Sequence, residues 1–410
     1  MNKIIISGDM LRGTQNPNIR LFLSLFSPAI QSACPGIPIE LCQSFDRDVF
    51  FHFFDLEYSE KNWVKIFYAE EIPQKAIDYL RERFAGSLVI MIEAPLVFLK
   101  IFDILGIPCI DFTIHPIRYM DDLLLGFKTN YQEIYQRLLK YQINDFYFSF
   151  YAGLLKGTFQ RRASAEGDIL PDSALFLGQT PVDRSLLNDK KAVVSVFDYQ
   201  SELEKLAQDH SIVYFKPHPL VAPDDAATEY MKSLNFVKII AADARNTYEL
   251  FACDQIKTVT ALSSGSLYEA KYFGKKVKYF FKQPFHFAEE YDYFNSPQSL
   301  SINDIYVSIY RDYFSPHFWT DVLAGFFSTA DNAFKLPVEQ LQNKLRYALN
   351  SRWGHKDVQS VFIDEVVLGL KASPQKTFKQ KLKKGLRKIL PKAAFDAWHV
   401  LRYGFDKRDS

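Results

Sequence analysis

The sequence predicts an α/β protein of two Rossmann-type domains facing each other across a cleft, with helices C-terminal to them. Three observations predict it. At 410 residues the chain is too long for a typical single core. Short β-branched or aromatic runs alternate with amphipathic stretches at intervals of roughly twenty residues, which is the pattern of a parallel sheet. The alternation occurs twice, on either side of a polar, turn-rich stretch from Arg161 to Pro171 that reads as a hinge.

In order, Ile4-Ile5-Ile6 reads as a first strand and Ser7-Gly8-Asp9 as its loop. Asn18–Ser32 carries Leu21, Phe22, Leu25 and Phe26 at helical spacing, and Val49–Phe54 is aromatic and strand-like. Ala69–Phe84 is an amphipathic helix, Leu88–Ile92 a buried strand ending at Glu93, and Pro95–Leu105 a helix that Gly106 stops. Ile107–Ile114 is the next strand, and Tyr131–Tyr151 a longer helix. Past the hinge, strands are expected near 174–177, 192–197, 212–215, 237–240, 258–260 and 276–281. Helices lie between them, and from Asn303 to about Leu370 the pattern is helical with no clear strand. The expected domains are 1–165, 166–330, a helical segment 331–372 packing back on the first domain, and a basic tail 373–410. Neither half carries G-x-G-x-x-G after its first strand, which argues against NAD or FAD.

Composition is ordinary for a globular protein, 48% hydrophobic and 24% charged, with aromatics at 16%. No apolar stretch approaches the eighteen or so residues of a membrane span. Cys34, Cys42, Cys109 and Cys253 lack C-x-x-C spacing and read as reduced thiols of a cytoplasmic protein, not a zinc site. Net charge is +1, yet residues 376–410 hold eleven Lys or Arg against three Asp. Within that tail Phe378, Leu382, Leu386, Ile389 and Leu390 recur at helical spacing among lysines, and Phe395, Trp398, Leu401 and Phe405 follow Pro391. Basic amphipathic helices of this kind lie in the interface of anionic membranes; the other reading is a helix packed on the catalytic domain or a partner.

The chemistry concentrates at strand ends, where an open parallel sheet binds ligands. Lys216-Pro217-His218-Pro219 follows one strand, and the prolines fix the direction of the imidazole between them. His218 either satisfies a local carbonyl or, with Lys216, holds a phosphate. Ser263-Ser264-Gly265-Ser266 precedes a helix: one serine serves as an N-cap, but three hydroxyls and a glycine exceed that need and suit a phosphate. Glu269, in the first turn of that helix, either answers the helix dipole or grips a ribose diol. Asp183, closing the loop Gly178–Asp183, is either a catalytic carboxylate or the cap of the Ser185–Leu187 turn. In the first half Glu93 is expected to face the cleft, with Asp111 and Arg118 beside it, Arg118 being able to pair with a carboxylate. Asp121-Asp122 is a loose D-x-D, better read as a helix start before Leu123-Leu124-Leu125. No basic–aromatic signature precedes the tail, so nucleic acid is not an expected partner.

Taken together, Gly178-Gln179 with Asp183, Lys216 to Pro219, and Ser263-Ser264 to Glu269-Ala270 with Gly274-Lys275 resemble the retaining β-Kdo glycosyltransferases of bacterial capsule and O-antigen assembly. The resemblance spans about residues 175–280, and Lys-x-His-Pro followed by Ser-Ser is shared with bacterial sialyltransferases. It implies a GT-B-like fold, CMP-Kdo as co-substrate, no metal or other cofactor, and a glycan acceptor, lipid-linked at the inner face of the inner membrane. It further implies that Asp183 is the nucleophile; Glu93 and Asp111 are the first-half acids that strand-end position alone offers. Gln179, Lys216, His218, Pro219, Ser263, Ser264, Gly265, Ser266, Glu269 and Arg118 would hold the donor. The Glu-Asp-Gly-type segment of the capsule enzymes has no match in the first half.

Overall fold

Alternate residues of the first strand serve two cores, and this sets the layered architecture. The computed structural model describes residues 1–13, 16–42, 45–59, 62–163, 169–181, 183–242, 244–290, 302–329 and 345–346. In β1 (Lys3–Gly8), Ile4 and Ile6 pack with the helices Asn16–Ala33 and Pro316–Leu323 on one face. Ile5 packs on the other face with the helices Gln74–Phe84 and Leu96–Leu105. That is the period of two of a strand buried on both sides. The first sheet runs β11-β5-β4-β3-β1-β2, built from β2 (Ile39–Leu41), β3 (Ser87–Ile92), β4 (Cys109–Ile114), β5 (Leu125–Thr129) and, much later in the chain, β11 (Val307–Ile309). β1 to β4 are parallel, whereas β5 is antiparallel to β4 and β11 to β5.

The second sheet is wholly parallel, in the order β10-β9-β6-β7-β8. Its strands are β6 (Ser173–Leu177), β7 (Val213–Lys216), β8 (Val237–Ile239), β9 (Ile256–Ala261) and β10 (Lys276–Tyr279). Strand order reverses between β6 and β9 here, and between β1 and β3 in the first sheet, so each sheet opens a crevice at the carboxyl ends of those strands. The fold is therefore mixed α/β with two Rossmann-type sheets, a GT-B-like arrangement.

Several sequence expectations are corrected. Val49–Phe54 is not a strand: Asp46 caps the helix Arg47–His52 by accepting from Val49 N at 3.1 Å, and Phe50 and Phe51 are buried side by side on it. Leu123-Leu124-Leu125 starts no helix but leads into β5, with Ile114 paired to Leu125. Tyr131–Tyr151 is two helices, Gln132–Leu139 and the start of Phe146–Ala163. The break occurs because Gln142 bridges Ile309 and Ile143 N donates to Ser308 O at 2.9 Å, so β11 claims the intervening backbone. Residues 192–197 form one bridge and a 3₁₀ turn, Val196–Tyr199, rather than a strand. Because β11 belongs to the first sheet, the chain has rejoined that sheet by Val307, well before 330. Leu345 is fully buried in the first sheet's core. Residues 164–168 of the hinge, the rest of 331–372 and all of the tail lie outside the described residues.

Candidate functional site

The loops at the carboxyl ends of both sheets enclose a cleft of about 1260 Å³. On the second-sheet wall, Gly178 continues β6 and its N–H donates to Lys216 O at 2.9 Å. A Cβ at Gly178 would stand 3.1 Å from His218 N and 3.2 Å from Pro217 Cα, backbone atoms that cannot yield. Glycine here is what lets the Lys216–Pro219 loop lie against its neighbour. Gln179 then ties β6 to β9: its Oε1 accepts from Ser263 N at 2.8 Å, and its Nε2 donates to the hydroxyls of Ser185 and Ser263 at 3.3 Å. The Ser263 hydroxyl is buried and donates to Ser185 Oγ at 2.9 Å, so it braces the wall. Ser264 and Ser266 line the cleft half-exposed, Ser264 Oγ accepting from Ser266 N at 3.3 Å. Gly265 does more than spare room for a ligand, since an added Cβ would meet Pro116 of the first sheet's loop at 3.1 Å.

His218 is half-buried, and its Nδ1 accepts from Leu220 N at 3.2 Å. The neutral ring therefore carries its proton on Nε2, the atom that can donate to a ligand. Lys216 departs from expectation. Only 4% exposed, its ammonium donates to the carbonyls of Ala242 at 2.7 Å and Arg245 at 2.8 Å, fastening another cleft loop instead of sharing a phosphate with His218. Asp183 lines the cleft, and its Oδ1 also accepts from Ser185 N at 2.8 Å, so the capping geometry is realised at a cleft position.

On the first-sheet wall Glu93 follows β3 in the left-handed region, φ 52°, a conformation costing of order 1–3 kcal/mol for a residue with a side chain. Its N–H donates to Phe112 O at 2.8 Å, and Thr113 Oγ1 donates to its Oε1 at 3.1 Å. Burial pushes the Glu93 carboxyl up, but the guanidiniums of Arg184, Arg12 and Arg118, with the Thr113 hydroxyl, outweigh it and hold it below the usual range. Asp111 does not reach the cleft. It is 1% exposed, accepts from Ala94 N at 2.8 Å and stands 3.7 Å from Lys128 Nζ, so it props the Glu93–Ala94 turn from beneath. Arg118 is exposed, and its side chain lines the cleft while its N–H donates to Glu269 Oε1 at 2.8 Å.

Glu269 thus joins the two walls, accepting also from Tyr248 OH at 2.7 Å, while only 4% exposed. Burial pushes its carboxyl up to about 7, against the pull of the Arg118 amide and the Tyr248 hydroxyl. The folded state therefore favours the protonated form, and stability is lost as pH rises from the ordinary carboxylate range through about 7. Glu269→Gln keeps an accepting oxygen without the charge, so its melting temperature is expected to fall less between pH 5 and pH 8 than the wild type's. Parallel slopes would refute the assignment.

Sequence reasoning missed Arg12, Arg184, Lys128, Lys282 and Tyr306, all of which line the cleft. Arg12 pairs with Asp9 and lies 4.7 Å over the Trp63 ring. Arg12 and Arg184 were findable, since one follows β1 and the other directly follows Asp183 at strand-end loops. Seven Lys or Arg line the cleft against four Asp or Glu, which favours an anionic ligand.

Asp121 accepts from Arg311 at 2.6 Å and from the Tyr151 and Tyr310 hydroxyls, and Asp122 accepts from Leu123 N at 2.8 Å and Arg346 N at 3.0 Å. Both are structural anchors. Among the described residues no group of His, Cys, Asp and Glu is placed to hold a metal, and no helix is long and apolar enough to cross a membrane.

No family model and no curated protein matches the chain. Among solved structures it is similar to Thermosulfurimonas dismutans KpsC, a β-Kdo 2,7 transferase, with 11% identity over 85% of this chain and 99% of that one. The TM-score is 0.40, too slight a likeness to bear on activity.

Proposed function

We propose that the protein is a glycosyltransferase that takes an ulosonic acid, Kdo, from its CMP-activated form and transfers it to a glycan acceptor with retention. The observation that carries this reading is the meeting, in one cation-rich cleft, of His218, Ser264 and Ser266 with Asp183 from the second sheet and Glu93 and Arg118 from the first. Nε2 of His218 and the two hydroxyls suit a single phosphate, which is what CMP offers. No metal is needed for that, because one developing negative charge is met by fixed donors. Arg118 takes the donor carboxylate. Asp183 attacks the anomeric carbon as CMP leaves, giving a glycosyl-enzyme ester. The acceptor hydroxyl, passing its proton to the released CMP phosphate, then displaces Asp183 from the opposite face, the one CMP vacated, so the configuration is retained overall.

A second reading is favoured by one feature. Asp183 already caps Ser185, while Glu93 is held ionised in a strained conformation at the cleft, which suits a general base in a single inverting displacement of the sialyltransferase kind. Calorimetry with CMP and with UDP, each with and without EDTA, tests the donor class. Tight CMP binding indifferent to EDTA is expected, and preference for UDP or a strict metal requirement would overturn it.

The acceptor, on this reading, is a lipid-linked glycan at the cytoplasmic face of the inner membrane, reached through the basic tail. Removing residues 376–410 is expected to abolish sedimentation with anionic liposomes at low salt while CMP binding persists. Liposome binding by the truncated chain would exclude the tail as the anchor.

A further inference from the structure

We infer that Arg346 is a positioning residue of the cleft, holding the β4–β5 loop in the register that lets Arg118 meet Glu269. Arg346 is only 2% exposed. Its Nη2 donates to Arg118 O and to Met120 O, both at 2.9 Å, and its own N–H donates to Asp122 Oδ1 at 3.0 Å. Three contacts from one residue thus span 118–122, and the neighbouring Leu345 is anchored in the first sheet's core.

What makes this clamp functional is where the loop goes. Arg118 carries both ends of the connection: its carbonyl accepts from Arg346 and its amide donates to Glu269 across the cleft. Pro116 of the same loop abuts Gly265, beside Ser264 and Ser266. His115 sets the loop's start, with Nδ1 accepting from Ile117 N at 3.0 Å, and the Arg346 guanidinium holds its 118 and 120 carbonyls. A buried guanidinium requires its donors to be answered, and a planar fork reaches carbonyls that a flexible ammonium meets less well. Among the described residues, Arg346 thus links the C-terminal part of the chain to the loop that carries Arg118.

The test uses the full chain with Arg346→Gln and Arg346→Lys, and its ligand arm rests on the proposed CMP site. Arg346→Gln is expected to weaken CMP binding about tenfold, the effect of misplacing one charged contact to the ligand, that of Arg118. Amide exchange should quicken in peptides covering 115–122 and stay unchanged in β3, and Arg346→Lys should fall between it and the wild type in both measurements. Wild-type exchange at 115–122 in folded Arg346→Gln would overturn the inference. So would exchange quickened uniformly across the fold, which is what a general packing role gives. Should Arg346→Gln fail to fold, the exchange pattern of Arg346→Lys decides on the same terms. If the wild type itself does not bind CMP, the proposed function fails, and the exchange measurement still decides the role of Arg346.

Discussion

Asp183→Asn is expected to lower transfer by about three orders of magnitude or more, as loss of a covalent nucleophile does, with CMP affinity and melting temperature close to wild type. The structural reason for expecting a clean separation is the cap. Asn keeps an Oδ1 that can accept from Ser185 N at the 2.8 Å now seen, and Asn and Asp are comparable N-caps. Asp183→Ala removes cap and nucleophile together and is expected to cost about 1 kcal/mol of stability as well. Rates from a CMP-release assay, with melting curves of the three proteins, check this. Wild-type turnover in Asp183→Asn would remove Asp183 from the chemistry and leave Glu93 as the acting carboxylate.

Lys216→Met is expected to show the largest effect on stability, about 2 kcal/mol, because it leaves the carbonyls of Ala242 and Arg245 without their donor in a nearly closed site. The consequence extends to the cleft. The loop those carbonyls belong to ends at Asn246, which caps the helix Thr247–Ala252 by accepting from Tyr248 N at 2.8 Å, and Tyr248 in turn donates to Glu269. CMP binding should therefore weaken although Lys216 itself is engaged with the loop. Urea denaturation tests it: the midpoint should fall with the slope unchanged. An unchanged midpoint would mean that the two carbonyls are satisfied in another way.

The fold was legible where a segment is buried on both sides. β3 and β6 are buried at every residue and β9 at all but Lys257, runs too short and too apolar or β-branched for a helix. It was illegible where tertiary pairing overrides local pattern. β11 is three residues long and its partner lies about 180 residues earlier, so nothing near it announces a strand. The Val49–Phe54 run reads as a strand by composition, and only the Asp46 cap and the pairing of buried Phe50 and Phe51 reveal the helix. At the site, strand-end position located the loops holding Gln179, Asp183, His218 and Ser264, because that rule depends only on strand order. It could not say which atoms face inward. Lys216 and Asp111 both occupy the right edge, yet each turns to a structural partner. Arg346 had no local signal at all, since its partners lie more than two hundred residues away.

The most direct measurement is the anomeric configuration of the product formed from CMP-Kdo and a soluble glycan acceptor, read by NMR alongside CMP release, with CMP-sialic acid as the competing donor. CMP release from CMP-Kdo, a β-linked Kdo product, and little turnover of CMP-sialic acid are expected. An inverted, α-linked product, or no CMP release from either donor while CMP still binds, would contradict the proposed function.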